Sequence, residues 1–275
     1  MFSACFRLGA LFACILLFAT SVRADRIGYW TFDESSGTTA ANSGTGTGLD
    51  GTLIGDATFV SGGVFGNAVQ LDGAGDYIDI INEVIVDGAS SYSVSAWFRP
   101  DNIGATRQTI FETSQNWAIS TELGAGSNNL TYRIETDGTS ASNQTTIVPT
   151  ANNWHHLYVT YDQTLGETHL YVNGAEVTTF SPPRTFPTGD LLPTDGFHIG
   201  TYLGADDRFF SGLIDDVAVW DQTLGSEYAT IFWNGGAGNP ASMVPESNSQ
   251  AIIGLAFLMI ALRARRRIRK SSKGI

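Results

Sequence analysis

Residues 154–221 decide the fold. They contain WHHLYVTYD (154–162), THLYVNG (168–174), FHIGTYLG (197–204) and FFSGLIDDVAVWD (209–221). Each is a short run rich in β-branched and aromatic residues, bounded by Gly, Asn or Asp, the pattern of strands joined by turns. Asn173-Gly174 is the dipeptide that best tolerates positive φ at both centres of a two-residue hairpin. Toward the N-terminus the pattern recurs in IGYWTFD, GNAVQLDG, YIDI, YSVSAWFRP, QTIFET, NWAISTE, LTYRIETDG and TTIVP. In YSVSAWFRP, strand periodicity puts Tyr92, Val94, Ala96 and Phe98 on one face and Ser93, Ser95, Trp97 and Arg99 on the other. Between Asp25 and Gly238 there is no long helical periodicity and no linker. One short helix is expected within 225–236, with Ser226 as its cap and Gly235 as its stop. The expectation is an all-β, antiparallel jelly-roll sandwich spanning 25–238.

The two ends lie outside that domain. Residues 1–24 have a short basic start at Arg7, an apolar run and a small-residue site at Val22-Arg23-Ala24, as a secretory signal does. Cys5 and Cys14 both fall inside it, so the mature chain has no cysteine and no disulfide. At the other end, 239–250 reads as a stalk, 251–262 as a short apolar membrane segment and 263–275 as a basic cytoplasmic tail. Twelve helical residues span about 18 Å, short of the roughly 30 Å hydrocarbon core. The arginine cluster after them would stay cytoplasmic. This tripartite tail resembles a PEP-CTERM sorting signal, which exosortase-type processing enzymes of bacteria act on. Val244, Pro245 and Glu246 match the start of its Val-Pro-Glu-Pro motif, and Ser247 departs from it. The resemblance implies secretion through the inner membrane to the cell envelope, cell surface or extracellular matrix of a bacterium. A plain C-terminal membrane anchor is the alternative.

Removing the ends changes the charge. Residues 25–245 hold 26 acidic residues, six arginines and no lysine, a formal charge of −20. Such a surface is a poor partner for nucleic acid or anionic polymers. Neutral glycans and divalent cations suit it better.

The motifs YWTFDESSGTTAANSGTGTGLDGTL, NAVQLDGAGDYIDI, YSVSAWF, NWHHLYVTYD, LYVNG and GLIDDVAVWDQTLGSEY occur in the order seen in laminin-G-like, concanavalin A-like jelly-roll domains, which residues 27–237 resemble. The resemblance implies the sandwich fold. Its functions range over glycan, protein and calcium binding, so it leaves function open.

Asp215-Asp216 is the sharpest candidate pair. Regular alternation groups Leu213, Asp215, Val217 and Val219 on one face, opposite Ile214, Asp216, Ala218 and Trp220. Both faces are mainly apolar, so at least one carboxylate starts buried and needs donors, a proton or a cation. Calcium is expected where this strand meets Asp33-Glu34, held by Asp33, Asp215 and Asp216 with backbone carbonyls completing its shell. The rival reading is that the carboxylates accept turn N–H groups or pair with an arginine. Asp72-Gly73-Ala74-Gly75-Asp76 lacks the EF-hand spacing and reads as a tight turn. His155-His156 reads as packing, since zinc needs three or four convergent ligands.

No Glu-x-Asp-x-x-Glu strand, GxSxG elbow or phosphate loop is present, so the domain is read as non-catalytic. Sugar binding would use exposed aromatics, and Trp117, Tyr132 and Tyr202 are the candidates, near polar loops at 101–108, 137–144, 181–196 and 203–208. The expectation is a carbohydrate-recognition module, possible structural calcium included. A protein-contacting matrix or adhesion component is the first alternative, and a glycan-active enzyme the second.

Overall fold

A computed structural model describes residues 24–80, 88–103, 107–113, 119–124, 129–138, 141–179, 188–191, 196–202 and 208–244. The signal segment, Trp117, Pro245, Glu246, the apolar run and the basic tail lie outside the described residues. No helix among the described residues is long and apolar enough to cross a membrane.

Among the described residues sixteen strands form: β1 (Arg26–Trp30), β2 (Thr39–Ala40), β3 (Gly51–Ile54), β4 (Thr58–Ser61), β5 (Asn67–Asp72), β6 (Tyr77–Ile80), β7 (Ser91–Pro100), β8 (Gln108–Glu112), β9 (Ile119–Leu123), β10 (Thr131–Ile134), β11 (Ala141–Gln144), β12 (His155–Asp162), β13 (Glu167–Val172), β14 (Ala175–Glu176), β15 (Phe197–Ile199) and β16 (Ser211–Trp220). They make two antiparallel sheets. The first runs β14-β13-β12-β7-β16-β5-β4, with β1 also on β16. The second runs β11-β10-β9-β8-β15-β6-β3-β2. The edges are runs of consecutive strands, while the central pairs β12-β7, β7-β16, β16-β5, β8-β15, β15-β6 and β6-β3 are crossovers, consistent with the jelly roll. Asn173 (φ 53) and Gly174 (φ 78) turn β13 into β14 as expected, both left-handed.

The inner faces of the two sheets share one core. Tyr92, Val94, Ala96 and Phe98 point into it, as the alternation predicts. Phe197 stacks between Trp30 at 5.6 Å and Phe111 at 5.8 Å. Each such ring contributes roughly 1.5–3 kcal/mol by leaving water.

The outer face of the first sheet is also covered. The chain after β16 forms α1 (Glu227–Trp233) and a 3₁₀ turn at Ala241–Met243. This strap lays Ala229, Phe232, Ala241 and Val244 on Tyr29, Tyr158, Tyr171, Ala218 and Trp220 to make a second apolar cluster. Two expectations change here. Ser226 makes no side-chain cap bond, and the helix stops at left-handed Asn234 (φ 44), one residue before Gly235. Residues 239–244, read as stalk, are part of the folded body: Ala241 and Val244 are buried. Asn239 supports them by donating its side-chain amide to the Ile231 carbonyl at 2.7 Å.

Candidate functional site

Asp215 and Asp216 sit where β16 changes partner. Ser211–Ile214 pair with β5, and Val217–Trp220 pair with β1. Against β7, a bulge falls between Asp215 and Ala218. Asp216 takes up the extra residue in a left-handed conformation (φ 49), which aspartate tolerates better than most. The bulge overturns the regular alternation: Val217 and Val219 face the main core with Ile214, while Ala218 and Trp220 face the strap.

These carboxylates accept mostly from the protein itself. Phe65 N–H donates to Asp215 Oδ2 at 3.0 Å. Tyr29 O–H donates to Asp216 Oδ1 at 2.6 Å, and Ala241 N–H donates to Oδ2 at 2.9 Å. Asn67 N–H donates to Asp33 Oδ1 at 2.9 Å. Burial pushes Asp215 up to about 8 and Asp216 up to about 6. Of the Asp33, Asp215 and Asp216 oxygens, Asp215 Oδ1 is the one buried without a hydrogen-bond partner. Calcium needs six to eight oxygens, and Asp33, Asp215 and Asp216 do not converge into a ligand sphere. Among the described residues, three such ligand atoms lie within 4.8 Å of one another only at Asp56, Asp72 and Asp76. There Asp76 accepts from the N–H groups of Asp56 (2.8 Å) and Asp72 (3.1 Å), which makes this a turn, as its sequence suggests.

His155 and His156 are packing residues. His156 lies fully buried between Trp97 (5.0 Å) and Phe232 (5.5 Å), with Ser95 Oγ 3.1 Å from Nε2. Burial lowers its pKa to about 3.

A different group of polar residues gathers on the outer face of the second sheet. His198 alternates with core residues Phe197 and Ile199, so it points outward. Cross-strand register sets it opposite Asp79 in β6 and Glu112 in β8. The row continues through Ser120 in β9 to Arg133 in β10. Four inter-strand steps make it about 19 Å long. Asp79 Oδ1 lies 3.3 Å from His198 Nε2, and Glu112 Oε1 lies 3.7 Å from Nδ1. Burial lowers the histidine pKa, opposed by Asp79, and favours the neutral ring.

One row further, Glu122 receives Arg208 Nη1 at 2.8 Å on one oxygen and Arg107 on the other. The Arg208 guanidinium lies 4.4 Å above the Tyr202 ring. Burial raises the Tyr202 phenol; Glu112 and Glu122 push it the same way, and Arg208 and Arg133 oppose. Tyr202 therefore sits in the field of all four charges. Glu112, Glu122 and His198 are 0%, 2% and 4% exposed. Charged side chains are almost never so buried unless paired, and Glu122 is paired with both arginines.

Tyr202, singled out from sequence, is at the centre of this cluster, but its ring is covered by Arg208 rather than bare. Tyr132 is a correction: its ring points into the main core and is 1% exposed, so it offers no platform. Glu112, Glu122 and His198 were not singled out. The available signal was a lone acid or histidine at an alternating position in QTIFET, NWAISTE and FHIG. A separate groove of about 310 Å³, between the β12–β13 hairpin and the start of the strap, is acidic. Its His169 is already engaged by Glu176 at 2.7 Å and Glu167 at 3.4 Å.

Two antiparallel sheets packed face to face in this order define the chain as a jelly-roll sandwich protein. The chain belongs to the concanavalin A-like lectin/glucanases superfamily: its Laminin_G_3 family matches residues 72–228, more than half of the chain. No curated protein matches it by sequence. Among solved structures, the binding domain of Paraclostridial Mosquitocidal Protein 1 superposes with a TM-score of 0.60 at 14% identity, covering 77% of this chain and 52% of that one. Domain 4 of AbnA, a GH43 extracellular arabinanase from Geobacillus stearothermophilus in complex with arabinotriose, gives 0.55 at 21% identity, covering 76% and 98%. A Trypanosoma rangeli sialidase gives 0.56 at 10% identity, covering 78% and 34%. The chain thus spans nearly all of the arabinanase domain, about half of the toxin domain and a third of the sialidase. At these identities the likeness is one of fold.

Proposed function

We propose that the protein is an exported, non-catalytic module that recognises carbohydrate on the outer face of its second sheet. One observation carries this reading. A neutral His198 can donate one hydrogen bond, yet carboxylates flank both ring nitrogens. A saccharide hydroxyl, which both donates and accepts, is the neutral group suited to a row of imidazole and carboxylates. The fold neighbour solved with arabinotriose supports a glycan as the class of ligand.

The enzymatic reading has a specific point in its favour. Glu112 and Glu122 are diagonal neighbours across β8–β9, because Glu112 pairs with Ser120, and such residues lie about 7–8 Å apart. That falls within the range of glycosidase carboxylates. Against it, both Glu122 oxygens are held by arginines, which favours a fixed anion over a proton carrier.

Export by residues 1–24 and processing of the tail at Val244-Pro245-Glu246 by an exosortase-type enzyme belong to the same proposal, with residues 251–262 as a transient membrane segment. A supporting calcium ion is its secondary element, held at Asp215 Oδ1 with backbone carbonyls rather than by Asp33, Asp215 and Asp216 together. The test is a broad glycan array probed in calcium and again in chelator. Binding to one glycan class in both buffers is expected. Binding lost in chelator would make calcium essential. No binding in either buffer would move the role to protein contact in a matrix. Hydrolysis of a bound glycan would overturn the non-catalytic reading.

A further inference from the structure

We infer that the outward side of the strap rests on a lipid bilayer, which turns the outer face of the second sheet away from the membrane. The inference rests on the reading of residues 251–262 as a membrane segment. It goes beyond that reading in fixing which surface of the folded body meets lipid.

Both ends of the folded body leave from one corner. Ala24 packs on the apolar cluster beneath the strap. Asp25 N–H donates to Asp221 Oδ1 at 2.8 Å, just past the end of β16. Arg26, in β1, reaches the strap and donates Nη1 to the Ala241 carbonyl at 2.9 Å. Ala241 N–H is held in turn by Asp216, and Val244, the last described residue, is buried beside them. Residues 1–24 therefore lead into the corner from which the apolar run 251–262 departs. Only residues 245–250 separate Val244 from that run. Six residues reach at most about 20 Å when fully extended. A domain of this size is roughly 40 Å across, so the tether is too short to bring the far side of the sandwich round to the membrane.

The strap has the surface such a contact needs. Residues 25–245 hold 26 acids, yet 228–245 carry no charged side chain. An acidic surface held at this place would be repelled by anionic headgroups. Phe232 and Ala241 face the sheet, while Ile231 and Met243 beside them face out, 38% and 57% exposed. Single exposed apolar residues mean little by themselves. These two lie on the uncharged surface, next to the exit toward an apolar run. That run spans about 18 Å as a helix, short of the roughly 30 Å hydrocarbon core. A segment this short draws its flanking residues into the interface, and the strap supplies apolar ones.

The test uses the full-length chain with Cys5→Ser and Cys14→Ser, which leaves no cysteine. Single cysteines are introduced as Ile231→Cys, Met243→Cys and Thr52→Cys, then labelled with a polarity-sensitive fluorophore. Thr52 is exposed on the outer face of the second sheet, opposite Asp79. The variants are mixed with phosphatidylcholine–phosphatidylglycerol vesicles, with and without a doxyl-labelled lipid. Labels at 231 and 243 are expected to shift to the blue and to be quenched by the doxyl lipid, and the label at 52 to do neither. Ile231→Gln with Met243→Gln is expected to weaken vesicle binding about tenfold with the melting temperature unchanged. Val148→Gln, at an exposed apolar residue beside the second sheet, is expected to leave binding as it was. Labels at 231 and 243 that stay in water on bound vesicles, or a label at 52 quenched as strongly, would overturn this inference and leave the membrane reading of 251–262 standing. A blue shift at 231 and 243 without lipid quenching would place a protein surface there and overturn it as well. A chain that never binds vesicles would overturn both, without touching the glycan reading.

Discussion

The two outer faces of the sandwich are built on opposite principles. Over the first sheet, Trp220 and Tyr158 meet Phe232 of the strap at 5.7 Å each, and Ala218, Ala229 and Val244 fill the spaces around them. Its polar atoms find ordinary partners: Tyr158 O–H donates to the Leu224 carbonyl, and Ser93 Oγ accepts the Leu224 N–H. Over the second sheet, Glu112, Glu122 and His198 are as buried as core leucines but are charged or polar. Apolar residues of similar volume in place of a buried ion cluster are often neutral or stabilising. Packing therefore accounts for the first face and leaves the second unexplained. Residues that break the rules of stable packing are expected where function lies.

That contrast can be broken first at the strap. Phe232→Ala removes a ring in contact with Trp220, Tyr158 and His156, and is expected to cost about 3–5 kcal/mol in denaturant unfolding. Affinity of the folded fraction for glycan should not move. A loss under about 1 kcal/mol would mean that the strap is a loose cover and the first face is no second core.

The same contrast is sharpened at Glu122. Glu122→Gln leaves Arg107 and Arg208 without their shared anion and is expected to cost about 2–4 kcal/mol. The more telling variant combines Glu122→Leu, Arg107→Leu and Arg208→Met. If the cluster exists for binding, this variant keeps or gains stability and loses glycan affinity. A triple variant that unfolds would make the cluster structural and the two faces alike.

How much of this could be read from the chain differs by face. Turn chemistry at Asn173-Gly174 and alternation in 92–98 depend on near neighbours, and both hold. The second sheet's row depends on register between β6, β15, β8, β9 and β10, which are far apart in sequence. No local pattern can bring Asp79 opposite His198, or Arg208 to Glu122. Asp215-Asp216 was visible as a problem, two acids in an apolar strand. Its solution was not, because the bulge arises from the change of partner between β5 and β1. Residues 239–244 have no periodicity of their own and are ordered by contacts with Tyr29, Arg26 and Asp216, which no local pattern announces.

The smallest expected effect tests how the first face tolerates its own acids. Asp215 and Asp216 both have raised pKa values, so the folded chain holds protons that the unfolded chain releases near pH 4. Stability should then fall as pH rises from about 4 toward 8, in the opposite sense to an ordinary ion-paired carboxylate. Asparagine imitates the protonated acid. At 215 its carbonyl can accept the Phe65 N–H, and its amide takes the place of the Oδ1 that has no partner. Asp215→Asn is expected to add about 1–2 kcal/mol at pH 8 in chelator and almost nothing at pH 4. Asp216 behaves differently, because both its oxygens accept, from Tyr29 and Ala241. An amide there would turn a donor toward a donor, so Asp216→Asn should destabilise at both pH values. A loss at pH 8 for Asp215→Asn in calcium that vanishes in chelator would show that a cation, rather than a proton, satisfies that oxygen. The acids of the first face would then serve a ligand as well.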